Sequence, residues 1–245
     1  MDEKRSRARY VRRLFDRIAS RYDLANTVIT FGRIGKWRQR LVQEIDFGGP
    51  GLVLDLATGT GDLAIAVARR EPKARVVGID LSLEMVRLAR EKAKRAGLEG
   101  RVSFLIADVT ALPFKDGIAD DIIDAFLLRH VPSLPEAFLE FGRVLRDNGE
   151  IASLELTQPT TPVYRQVFGC LFRYITPVMG GLVSGDFAAF RYLPRSLAPY
   201  PGHKELSSVM RGAGFDKVRC ILMWGGAVAV HAGLKPAAPP AVRRD

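Results

Sequence analysis

VLDLATGTGDLA, residues 53–64, decides the fold: an apolar strand, a turn holding Gly59 and Gly61, and the start of an apolar helix. Such a unit opens an α/β sheet that receives a nucleotide at its strand ends. The alternation continues outward from it. RVVGID (75–80) reads as the next strand, Ser82 as the N-cap of a helix, and Gly97 as that helix's stop. VSFLIAD (102–108), DIIDAFLL (121–128) and EIASLEL (150–156) are predicted strands, with a helix over Pro135–Leu145. Helix His203–Ala213, stopped by Gly214, then leads to strands KVRCILM (217–223) and GAVAVHAG (226–233). Apolar runs this continuous, separated by helices, belong to parallel strands buried on both faces. The predicted fold class is α/β, a doubly wound, mostly parallel sheet of seven strands.

Two stretches stand outside this rhythm. Residues 1–46 read as a helical cap, with Trp37, Leu41, Val42 and Ile45 on one stripe and a break at DFGGPG. Residues 158–202 carry six prolines and eight aromatics, too apolar for a linker, and are expected to form a helical insert over the strand ends, as a lid or substrate wall. The sheet unit then runs from 47 to 236 with this insert inside it, and 237–245 is expected to be a disordered tail.

Gly59, Gly61 and Ala64 satisfy a G-x-G-x-x-A pattern, which alone admits a dinucleotide. The charges argue otherwise. The turn holds Asp55 and Asp62 and no Lys or Arg, and carboxylates there repel a pyrophosphate. S-adenosyl-L-methionine, an adenosine with a sulfonium and an ammonium but no phosphate, fits better. The glycines admit the nucleoside, Asp80 at the second strand's end can accept both ribose hydroxyls, and Asp108 at the third strand's end can accept from the adenine amine. Asp at a strand end also simply initiates helices.

The 245 residues are 47% hydrophobic and carry a formal net charge of +10. No apolar run in the sequence approaches the ~20 residues of a membrane span, and Cys170 and Cys220 have neither metal-site nor disulfide spacing, so a reduced cytoplasmic protein is expected and no metal site. Residues 1–21 hold eight Lys or Arg. A solvated helix face explains that block; so does a basic amphipathic helix for a membrane surface, with Val11, Leu14, Phe15 and Ile18 at helical spacing. RNA binding ranks third, since only Tyr10 and Phe15 could stack on bases.

With these residues in view, the chain resembles the quinone-biosynthesis C-methyltransferases of the UbiE/MenG/Coq5 type, from about Leu14 to Pro236. The resemblance rests on FDRIASRYDLANTVITFGRIGKWR near the N-terminus, LDLATGTGDLA, GIDLSLEM, ADVTALPF, LLRHV, RVLRDNGEIASLELTQP, FRYLPRSL and AVHAGLKP. The combination of Tyr22-Asp23, Asn26, Arg129, Leu154-Glu155 and Arg191-Tyr192-Leu193 is its most specific part. The chain departs from the family at His130, where the family has asparagine, at Ile34, at Arg146-Asp147-Asn148-Gly149, and in DFAAFRYL, which loses a serine and a tyrosine hydroxyl.

The resemblance implies a class I methyltransferase fold, cofactor contacts at Thr60, Asp80 with Leu81, and Asp108-Val109, and a further contact at Ala125 where the family carries serine. It implies methyl transfer to a ring carbon of a polyprenylated quinol, demethylmenaquinol or the benzoquinol of the ubiquinone pathway. Tyr22 and Asn26 would cover the pocket, and Arg191 and Tyr192 would line the acceptor channel or pack the insert. Arg129, at the fourth strand's end, could stabilise phenolate charge or pair with Glu155. His130, with an ordinary pKa of about 6.5, is the base candidate, or else a loop residue bonded to backbone. Expected partners are the quinol, a membrane surface met transiently by the basic N-terminus, and a second copy in a homodimer; nucleic acid is not expected. A peripheral position on the inner face of the cell membrane fits that reading. The competing readings are a same-fold methyltransferase for another small aromatic and a basic RNA- or lipid-associated protein that binds the cofactor.

Overall fold

The computed structural model describes residues 2–47 and 51–237, with the side chains of 2–5 and 7 excepted. The predicted tail lies outside the described residues, apart from Ala237. Seven strands form one sheet: β1 (Leu52–Leu56), β2 (Arg75–Asp80), β3 (Val102–Ile106), β4 (Ala119–Ala125), β5 (Leu145–Leu156), β6 (Asp216–Met223) and β7 (Val228–Leu234), in the order β3-β2-β1-β4-β5-β7-β6. The first five are mutually parallel, and β7 runs antiparallel between β5 and β6. Strand order reverses beside β1, the switch point at which open α/β sheets place their ligand crevice.

Alternation along β1 sets the two sides of the core. Val53 points into a layer with Trp37, Val67, Val86 and Phe104; Leu54 and Leu56 point into one with Phe138, Phe141, Met210 and Phe215. The first layer is covered by helices α3 (Ile34–Gln43), α4 (Asp62–Arg70) and α5 (Leu83–Arg95), the second by α6 (Leu134–Val144) and α10 (His203–Gly212). The predicted punctuation holds: the Ser82 hydroxyl accepts from the Met85 N–H at 3.1 Å, and Gly97 and Gly214 sit at φ +68° and +94°.

The cap is three helices, α1 (Asp2–Ile18), α2 (Tyr22–Ile29) and α3. Trp37, Leu41, Val42 and Ile45 are all buried, as their stripe predicts. Leu14 and Ile18 of α1 pack instead with Ala25, Ala189 and Phe190, so the apolar stripe read as membrane-facing is largely spent on the protein itself. Arg9, Arg12, Arg13 and Arg17 stay on its exposed side. The insert is helical as expected: α7 (Pro162–Cys170), a π-turn (Leu171–Ile175), α8 (Thr176–Ser184) and α9 (Phe187–Leu197).

One strand end differs from expectation. β4 stops at Ala125 because Phe126 adopts φ +64°, and Leu128–His130 forms a single 3-10 turn rather than strand. That turn swings Arg129 and His130 off the sheet and toward the cap.

Candidate active site

A cavity of about 780 Å³ opens at the C-terminal ends of β1, β2, β3 and β4 under a roof supplied by α1. Its volume suits a nucleoside-sized ligand plus a second small group. Each strand end contributes a short loop: Ala57 and Gly59, Asp80 to Ser82, Asp108 to Thr110, and Ala125 to Leu127. Val11, Arg12 and Phe15 close it from above, and Glu136 of α6 stands at its side.

Asp80 is the anchor of this floor. Its carboxylate accepts the Gly59 N–H at 2.9 Å and the Ser82 N–H at 2.8 Å, one on each oxygen. Further lone pairs remain on both oxygens for a ligand's hydroxyls. Burial raises its pKa to about 6, against the backbone donors that favour the charged form. Gly59 sits at φ +55°, and a Cβ there would lie 3.7 Å from the Tyr22 ring, so the loop backbone passes close beneath the cap. Ala57 and Phe126 also hold positive φ, +53° and +64°, and both face the cavity. Strained non-glycine backbone at two strand ends is what a site held by its surroundings shows. Asp108 accepts from the Thr110 N–H at 2.9 Å and its hydroxyl at 2.7 Å, which fixes the third loop. Gly59, Asp80, Leu81, Asp108, Val109 and Ala125 therefore meet in one cavity. Among the described residues no cluster of His, Cys, Asp and Glu could hold a metal ion.

Asp55, Thr60 and Gly61 do not line it. Asp55 is 1% exposed; its Oδ2 accepts from the Thr58 hydroxyl at 2.6 Å and the Ala64 N–H at 3.0 Å, so it braces the loop from behind. Burial raises its pKa to about 7. Thr60 donates to Asp23 of α2 at 2.6 Å. Asp62 is held between Arg38 and Lys92, each at 2.6 Å, and Lys92 also reaches Asp23 at 2.5 Å. The discrimination against phosphate based on Asp55 and Asp62 is thus corrected. One is buried behind the loop and the other is neutralised by two cations, because the cap brings Arg38 and α5 brings Lys92 to a turn that holds no cation of its own. The acids that do face the ligand space are Asp80, Asp108 and Glu136.

A second, smaller cavity of about 60 Å³ lies between the cap and the insert. Phe15, Tyr22 and Phe126 border both cavities and form the wall between them. Its remaining lining is apolar except for Asn26, Thr30, Thr176 and Arg129, and includes Phe168, Phe172, Phe190 and Trp224. Arg129 pairs with Glu155 at 2.8 Å and lies 5.3 Å from the Phe126 ring centroid. Burial raises the Glu155 pKa and Arg129 opposes that. Tyr22 is half-buried, its hydroxyl bonded with Asn26, and desolvation pushes its pKa up.

His130 faces the larger cavity. Its Nδ1 lies 3.0 Å from the Tyr192 hydroxyl, its ring stacks on that of Tyr192 at 5.5 Å, and Phe15 meets it edge-on. Tyr192 therefore positions His130 rather than lining either cavity. Arg191 is exposed and lines neither, because α9 turns that position outward. Phe15, Ser82, Phe126 and Glu136 line the cavity in addition to the residues to which the sequence points. Ser82 carried a signal as a helix N-cap directly after Asp80; Phe126 carried none, since its positive φ is invisible in an apolar run.

The model of the ubiE/COQ5 methyltransferase family matches residues 2–235. The chain is 42% identical over 224 residues to the ubiquinone/menaquinone biosynthesis C-methyltransferase UbiE of Syntrophotalea carbinolica, covering 91% of this chain and 93% of that one. It is 42% identical over 223 residues to the demethylmenaquinone methyltransferase of Thermus thermophilus, covering 91% of this chain and the whole of that one. Among solved structures, an S-adenosylmethionine-dependent methyltransferase from Aquifex aeolicus superimposes with a TM-score of 0.59 at 20% identity, over 81% of this chain and 89% of that one, which shows the shared fold.

Proposed function

The chain belongs to the ubiE/COQ5 methyltransferase family and is an S-adenosylmethionine-dependent methyltransferase, and from that premise we propose that it methylates a ring carbon of a polyprenylated quinol, converting demethylmenaquinol to menaquinol. The observation that carries this reading is the pair of cavities sharing Phe15, Tyr22 and Phe126. One, about 780 Å³ and floored by strand-end carboxylates, has volume for the donor and for an acceptor ring beside His130; the other, about 60 Å³ and walled by aromatic and aliphatic side chains, begins an apolar path behind Phe15, Tyr22 and Phe126 that must widen to take a prenyl chain.

Bound S-adenosylmethionine supplies an electrophilic methyl group on a sulfonium. Asp80 accepts the ribose hydroxyls, Asp108 the adenine amine, and Leu81, Val109 and Ala125 flank the nucleoside. Asp55, Thr60 and Gly61 keep the loop in shape without reaching it. On the acceptor side, ring-carbon attack needs an electron-rich quinol, so the oxidised quinone is unreactive. His130 takes the hydroxyl proton, held by Tyr192 in the orientation that makes it a base. Arg129 offers its cation to the oxygen as negative charge develops. After the methyl group is bonded and S-adenosylhomocysteine is left behind, the proton on the same ring carbon leaves to restore aromaticity and His130 returns its proton to the oxygen, so that one proton is released overall. Phe15 and Tyr22 align the ring, where small misplacements lower the rate steeply.

Exposed Arg9, Arg12, Arg13, Arg17 and Arg21 give the cap an electrostatic affinity for an anionic lipid surface, consistent with a cytoplasmic enzyme working peripherally on a membrane-borne substrate. The test is methyl transfer from isotopically labelled S-adenosylmethionine to a short-chain demethylnaphthoquinol kept reduced. A labelled, methylated naphthoquinol is the expected product. Labelling only of the corresponding benzoquinol, or of neither, overturns the assignment.

A further inference from the structure

We propose that the outer face of the insert's helical segment, Pro162–Ser184, seats in the surface layer of an anionic bilayer, placing the apolar cavity directly behind the seated helix. The use of that position by the acceptor rests on the quinol reading above; the docking itself does not.

Contrary to the expectation that no stretch nears a membrane span, the segment is a helix of 23 residues, long and apolar enough by length and composition to cross a membrane, its apolar run masked in the sequence by Arg165, Gln166 and Arg173, with only a third of its most apolar stretch buried in the protein. It contains no acidic residue. Val163, Val167, Cys170, Tyr174, Val178 and Leu182 recur at steps of three and four, so they share one face, and every one is exposed, Val163 at 75% and Leu182 at 70%. At 1.5 Å per residue that face runs for about 28 Å. A contiguous apolar face of this length on a folded chain marks an interaction site.

The opposite face is already occupied. Phe168, Leu171, Phe172 and Thr176 line the small cavity from within. The helix is therefore apolar on both sides, and only one side is covered by protein. A membrane-crossing position is excluded by that packing, which leaves a helix lying in the interface plane.

Charge selects lipid as the cover. Arg173 stands 5.8 Å from the Tyr174 ring, Arg165 projects on the segment's exposed flank, and Arg33 acts electrostatically on Tyr164 near its start. Arg21 donates to the Val183 carbonyl at 3.3 Å near its end. An apolar stripe rimmed by arginines suits acyl chains below and anionic headgroups around, with the arginine stems reaching to headgroup level. The apolar side of α1 cannot serve this role, since Leu14 and Ile18 are buried.

The experiment is flotation of the full chain with vesicles of phosphatidylcholine and phosphatidylglycerol, without substrate. Val167→Glu/Val178→Glu changes two exposed side chains that line neither cavity. It is expected to lower the vesicle-bound fraction at least about tenfold, since each carboxylate must be drawn into the apolar boundary. S-adenosylmethionine binding and transfer to a soluble short-chain quinol should stay within about twofold. In a Cys220→Ser background, an environment-sensitive fluorophore on Cys170 should shift to the blue on adding vesicles. Unchanged flotation of the double variant, or an unshifted Cys170 probe while the chain floats, overturns the proposal. So does a wild-type dimer that the double variant converts to a monomer without loss of flotation, because the face then belongs to a second copy. Failure of methyl transfer with flotation intact would remove the quinol reading and leave the docking standing.

Discussion

The two halves of the crevice are built in opposite ways. On the donor side, the groups that floor the cavity sit within two or three residues of a strand's end, and the sheet's register places them: Asp80 at the end of β2, Asp108 just after β3, Ala125 at the end of β4. On the acceptor side, Phe15, Tyr22, Phe168, Phe190 and Trp224 come from five separate elements and meet only through tertiary packing. The donor side is set by local structure and is rigid for that reason. The acceptor side is an assembly, sensitive to anything that shifts the cap or the insert.

The difference can be broken at its strongest point first. Asp80→Ala removes the acceptor for two hydroxyls, each charge-assisted bond being worth about 1.5–3 kcal/mol, so the S-adenosylmethionine Kd should rise by at least a hundredfold. Isothermal titration checks it; near-normal affinity would displace the ribose from β2's end. Arg129→Ala should leave that affinity almost unchanged and instead cost about 3–5 kcal/mol of folding stability, because Glu155 stays buried without its partner. Chemical denaturation reads this, and Arg129→Met/Glu155→Leu should recover most of the loss.

A pH series separates two acids of the same loop. Asp80 titrates at about 6 and serves the ligand as a carboxylate, so the Kd should climb towards tenfold per unit as pH falls below 6. Asp55, raised to about 7 by burial, binds a proton more tightly folded than unfolded. Its contribution to stability is present at low pH and is lost as pH rises from about its ordinary 3.8 to about 7. Asp55→Asn should flatten that slope in thermal melts while leaving the binding profile in place. The acceptor side is sharpened by His130→Asn, which should lower methyl transfer by about a hundredfold or more, as removal of a general base does, while activity kept within about tenfold would show that an amide held by Tyr192 suffices.

The same division explains what could be read from the sequence. Gly59, Asp80, Asp108 and Ser82 announce themselves because turn and cap chemistry is local, and the strands around them carry continuous apolar runs. The true roles of Asp55 and Asp62 are hidden in the sequence for a corresponding reason. Their counter-charges, Arg38 and Lys92, lie 24 and 30 residues from Asp62 in sequence, and burial of Asp55 follows from Thr58 and Ala64 closing over it. Arg191 and Tyr192 are adjacent in sequence and about 100° apart on α9, yet one is exposed and the other packs on His130, a distinction that depends on what lies against the helix. The apolar stripe of α1 was legible; its partner, Phe190 and Ala189 of α9, was not.

The insert leaves and rejoins the sheet through fixed points. The Thr157 N–H donates to the Ala227 carbonyl at 2.9 Å, and His231 of β7 donates through Nε2 to the His203 carbonyl at 2.8 Å, so both ends of the excursion are clamped to β7 or its approach. No strand pairing runs through residues 158–202. The segment is in effect a cassette: its aromatic lining can be rewritten, and with it the tolerated acceptor, as long as Ala189 and Phe190 still meet Leu14 and Ile18 of the helix that roofs the donor cavity.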